Sequence, residues 1–107
     1  MASISIVPAS GSIASVGTFC RVEVTAATQN DNATYSTTTY PQSPEFRYYL
    51  TFEKGGDILG KSYVFGVNED GEHTFNNYVF PSSGSWTVRL SNAATDGSVA
   101  TASVTVS

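Results

Sequence analysis

The stretch Pro81-Ser82-Ser83-Gly84-Ser85-Trp86-Thr87-Val88-Arg89-Leu90 decides the fold. In an extended chain Trp86, Val88 and Leu90 fall on one side and Ser85, Thr87 and Arg89 on the other, and a Pro-Ser-Ser-Gly turn opens the run. Alternation with a period of two marks a strand with one buried face. Towards the C-terminus, a turn ending in Asp96-Gly97 leads into a second alternating run, Ala102-Ser103-Val104-Thr105-Val106. The chain therefore ends in two strands.

Towards the N-terminus the same period recurs between Gly, Pro, Asn and Asp punctuation, with no helical periodicity anywhere. Strands are expected at 3–8, 18–26, 46–53, 61–69, 72–80, 85–91 and 99–106. In the second, Cys20, Val22 and Val24 share a face; in the third, Phe46, Tyr48, Leu50 and Phe52 point inward and Arg47, Tyr49, Thr51 and Glu53 outward. Lys54-Gly55-Gly56-Asp57 turns the chain into a brief Ile58-Leu59 segment that Gly60 breaks. Asp70-Gly71 favours a two-residue hairpin turn, because Gly readily takes positive φ. About seven antiparallel strands in 107 residues make one all-β domain, a sandwich of two sheets spanning 1–107. Its expected core is Val22, Val24, Tyr48, Leu50, Phe52, Trp86, Val88, Leu90, Val104 and Val106.

Composition narrows the function. Charged residues are 13% of the chain and Ser plus Thr about a quarter, so the surface is hydroxyl-rich and weakly charged. The net charge of −4 and five scattered basic residues form no stripe for phosphate, which argues against nucleic acid. No run approaches the roughly 18 apolar residues of a membrane span, and no basic, apolar leader opens the chain. The single cysteine forms no internal disulfide and fits a reducing cytoplasm, as it also fits a domain cut from a larger secreted protein.

Gly84-Ser85-Trp86-Thr87-Val88 resembles the start of the sixth strand of immunoglobulin domains, and Cys20 stands where such domains place one disulfide cysteine. Val88 occupies the partner position and the central-strand Trp is missing, with Phe46 or Tyr48 nearest to it. The pattern over residues 81–106 is similar to the disulfide-free phage and bacterial versions of the fold. That resemblance implies an immunoglobulin-like β-sandwich of a small phage virion protein, made in the host cytoplasm and placed on the particle. Decoration or cementing of a capsid through protein contacts is the expected role. A carbohydrate-binding module for the host surface, or a repeat of a bacterial adhesin, are the alternatives the same resemblance leaves open.

No residue set carries chemistry. His73 is the one histidine, so no nucleophile has a base, and the chain is not expected to be an enzyme or to hold a cofactor. His73 reads as an exposed strand residue, and Cys20 as a small buried hydrophobe. Glu69, Asp70 and Glu72 cluster at a turn, but their spacing matches no calcium loop, and no metal is expected. Trp86 shares a face with Val88 and Leu90, which favours core packing over a sugar-stacking platform.

Contact residues are sought in two places. Residues 27–45 form a connection longer than the fold requires and supply Tyr35, Tyr40 and Pro41; Tyr with small polar residues gives adaptable contact area. If 61–69 and 72–80 pair as a hairpin, Tyr63, Phe65, Val67, Tyr78 and Phe80 lie on one face and Val64, Phe75 and Val79 on the other. Either a loop, a partner or a further copy covers the surplus face, or a bulge or longer turn changes the register. Tyr35, Tyr40, Pro41, Tyr63, Phe65 and Tyr78 are accordingly the candidate partner-binding residues, with a capsid or other virion protein, and further copies on the particle, as the expected partners.

Overall fold

Residues 2–9, 14–26, 47–68 and 70–107 are described by a computed structural model. They contain eight strands: β1 (Ser3–Pro8), β2 (Phe19–Thr25), β3 (Arg47–Lys54), β4 (Asp57–Lys61), β5 (Phe65–Gly66), β6 (Glu72–Val79), β7 (Gly84–Asn92) and β8 (Ser98–Val106). No helix occurs among the described residues. The strands form two antiparallel sheets, one in the order β1-β2-β6 and one in the order β4-β3-β7-β8, with β5 also on β3. A parallel bridge from Ala14 to Val106 ties the segment before β2 to the end of β8.

The alternation places the core as the pattern requires. Cys20, Val22, Val24, Tyr48, Leu50, Phe52, Trp86, Val88, Leu90 and Val106 are buried, and Val104 packs against them at partial burial. Trp86 sits among Phe80 and the Lys54 stem, and its indole N–H donates to the Ser82 carbonyl at 2.9 Å, so its one polar group is satisfied. Phe46 lies outside the described residues.

Four expectations are corrected. First, Asp70-Gly71 does not join a hairpin. β5 pairs with the start of β3, through Arg47↔Gly66 and Tyr48↔Phe65, whereas β6 pairs with β2. The turn instead carries the chain from one sheet to the other: Gly71, at φ 79°, donates to the Asn68 carbonyl, and the Asn68 side-chain oxygen accepts from the amides of Asp70 and Glu72. Asp-Gly selects a tight turn but not the partner of the strand that follows, and buried Phe65 and Val67 hold the incoming segment in the core.

Second, β6 carries an irregularity. Cys20 faces Tyr78 and Val22 faces Phe75, so two residues, Asn76 and Asn77, stand on β6 where β2 has only Arg21. The extra residue shifts the alternation, and Phe75 and Tyr78 both turn inward. Of the surplus apolar face of the expected hairpin, Phe75 is thereby taken into the core, while Val64 and Val79 remain exposed. Third, Gly60 continues β4 rather than ending it. Leu59 is the extra residue of a bulge between Ile58, opposite Glu53, and Gly60, opposite Phe52. The turn before it is Gly55-Gly56, both at positive φ (60° and 88°), as a two-residue hairpin demands.

Fourth, Thr51 points outward yet is buried. Lys61 and Arg89 flank it in register, its hydroxyl donates to Glu53 at 2.7 Å, and Arg89 pairs with the same carboxylate at 2.9 Å. Long charged side chains roof the small one, which sequence alternation does not foresee.

Candidate functional site

The registers fix two ends of the sandwich. β3 finishes at Lys54 beside Trp86 and Asp57, β8 finishes at Val106 beside Gly84, and β2 begins with Phe19 beside Val79. At this end five large apolar side chains remain exposed: Val16, Phe19, Ile58, Leu59 and Val79. Phe19 and Val79 are cross-strand partners on the outer face of the smaller sheet, with Phe19 54% exposed. Strand alternation forces them outward, since Cys20, Tyr78 and Phe80 on either side fill the core.

The second feature lies on the flank where β6, the edge of the smaller sheet, faces β4 and β5. Tyr63 stands there, 63% exposed, on the three-residue link between β4 and β5. It is held from below by rings. Its centroid lies 5.2 Å from Phe75, 6.1 Å from His73 and 6.5 Å from Phe65, and its hydroxyl is 3.3 Å from His73 Nε2. His73 in turn stacks on Phe65 at 4.5 Å, with 15° between the ring planes. Phe52 and Tyr78 stack at 3.9 Å further along the same flank. Three recesses of about 500, 370 and 320 Å³ open here, and Tyr63 lines all of them.

The proposed contact residues thus separate. Tyr63 is on the surface, Phe65 is in the core and Tyr78 is half-buried against Phe52; Tyr35, Tyr40 and Pro41 lie outside the described residues. His73 is half-buried in the aromatic cluster rather than exposed, because the β6 irregularity leaves it on the inner face together with Phe75. No motif announces that cluster. Its signal was the recurrence of rings at 63, 65, 73, 75 and 78, legible only once the pairing is known.

Burial pushes the Tyr78 hydroxyl up to about 12 and the His73 imidazole below its ordinary 6.5. A histidine lowered in the folded state binds fewer protons there than in the unfolded chain. Its contribution is therefore fully present above pH 6.5 and is lost as pH falls from 6.5 through the lowered folded value. Urea midpoints at pH 7.5 and 5.5 are expected to differ, and His73→Phe, which keeps a ring in the stack, is expected to flatten that difference. An unchanged slope in the variant would assign the pH dependence to carboxylates instead.

Elsewhere the chemistry is quiet. Cys20 is fully buried and its thiol is raised by desolvation, away from the reactive thiolate. On the outer face of the larger sheet, the Arg89 guanidinium and the Thr51 hydroxyl hold the Glu53 carboxyl below its usual range, while Tyr49 donates to Asp96 at 2.8 Å beneath Lys61. Among the described residues no three His, Cys, Asp or Glu side chains gather as a metal site, and no helix is long and apolar enough to cross a membrane. Glu69 lies outside the described residues. The chain matches no protein-family model, no curated protein and no solved structure.

Proposed function

We propose that this chain is a non-enzymatic virion structural protein with an immunoglobulin-like sandwich, attached to a phage capsid through protein contacts. The strand orders β1-β2-β6 and β4-β3-β7-β8 correspond to A-B-E and C′-C-F-G of that fold, which supports the family reading taken from residues 81–106. The role itself rests on one observation, the exposed apolar end at Val16, Phe19, Ile58, Leu59 and Val79. Exposed apolar side chains at one end of a small domain, the cross-strand pair Phe19 and Val79 among them, favour a contact surface. Their position on strand ends and tight turns makes the surface rigid, so attachment needs little ordering. On a lattice, modest contacts of many copies reinforce one another.

Co-sedimentation with assembled capsids of the virus that encodes it tests this reading. The parent chain is expected to pellet with the particles, and Phe19→Ser combined with Val79→Ser to remain largely in the supernatant while staying folded, since exposed positions contribute little to stability. A parent chain that stays in the supernatant sinks the proposal.

A further inference from the structure

We infer that the flank around Tyr63 is a binding site for a neutral carbohydrate, separate from the apolar end and beyond the attachment role. The first ground is the state of Tyr63 itself. A large ring that is 63% exposed ordinarily has freedom to move, yet this one is clamped by Phe65, His73 and Phe75 and by its hydroxyl on His73. It stands as a ridge between recesses of about 500 and 370 Å³, within the range of small-ligand sites. The negative face of an aromatic ring attracts the polarised C–H groups of a sugar ring, and a platform fixed beforehand avoids the entropy of ordering it on binding.

The second ground is the polar equipment on either side. The β6 irregularity exposes Asn76 and Asn77 side by side in one recess with Thr74, and none of their side chains hydrogen-bonds to a described residue. Each amide offers two donors and two acceptor lone pairs, and the hydroxyl offers both. The other recess adds the Glu72 carboxylate and Asn68, whose side-chain oxygen is occupied by two backbone amides, leaving its NH₂ to donate. Paired donors and acceptors beside an aromatic face match vicinal hydroxyl groups.

The third ground is charge. No Lys or Arg lines either recess and one carboxylate does, so anionic ligands are disfavoured. A protein partner would gain from an apolar centre; of the three recesses that Tyr63 lines, the two that share Thr74 carry amides and hydroxyls, and the third, lined by Phe52, Phe75, Tyr78 and Lys61, is the apolar one.

An array of neutral oligosaccharides built from glucose, galactose and N-acetylglucosamine, with sialylated and sulfated ones as contrast, provides the test. The parent protein is expected to retain a subset of the neutral glycans. Amide NMR titration with a retained glycan is expected to shift Tyr63, His73, Thr74, Asn76 and Asn77. Tyr63→Ala is expected to weaken binding at least tenfold and Asn77→Ala severalfold, while Tyr63→Phe retains most of it. Phe19→Ser with Val79→Ser is expected to bind glycan like the parent, which separates this site from the capsid contact. Retention of no neutral glycan, a preference for acidic ones, shifts elsewhere on the surface, or unchanged binding by folded Tyr63→Ala would each overturn the inference.

Discussion

Leu50→Asp abolishes folding. Leu50 is 0% exposed, lies on β3 between β4 and β7, and faces Leu90 in register at the centre of the larger sheet. No cationic side chain lies among the buried residues that surround it, so a carboxylate there is either charged without a partner or protonated without adequate hydrogen bonds. Either state costs several kcal/mol, against a total stability of about 5–15 kcal/mol. Loss of the dispersed amide spectrum and of the cooperative urea transition is the expected reading. A cooperative transition near that of the parent would show that β3 is not the central strand described.

Trp86→Ala is the second large effect, a destabilisation of about 3–5 kcal/mol. The indole is 1% exposed and packs on Phe80 at 5.4 Å, so its removal leaves a cavity in the core that the surrounding structure relaxes into only in part. The Ser82 carbonyl also loses its donor at the turn that leads into β7. Trp86→Phe keeps most of the volume and omits the hydrogen bond, and is expected to lose less than half as much. Urea denaturation of the three proteins, with equal m-values, distinguishes a cavity from a change of fold; equal losses in both variants would place the weight on the hydrogen bond.

Both predictions concern residues visible in the sequence alone. One-sided burial of a strand imposes a period of two, so Val22, Val24, Leu50, Val88 and Leu90 identify themselves without knowledge of any partner. Turn chemistry is equally local: Gly55-Gly56 marks a reversal because few other residues accept its positive φ, and Asp96, at φ 59°, takes the left-handed position in the turn before β8. Pairing is not local. Asp70-Gly71 reads as a hairpin within its own few residues, and only competition for β2 and for the start of β3 sends its flanking strands to different sheets. The candidate sites follow from those non-local choices. Phe19 and Val79 become one patch because β2 and β6 are neighbours, and His73 reaches Phe65 because an extra residue at Asn76-Asn77 inverts the alternation of β6. All-β class, the turn positions and the core residues of β2, β3 and β7 were thus determined by the sequence through local sterics and burial, whereas Phe65, Val67 and Phe80 joined the core only through the pairing of their segments. Sheet order, the apolar end and the Tyr63 flank were decided only by the tertiary structure, because backbone hydrogen bonds carry no label for the strand they join.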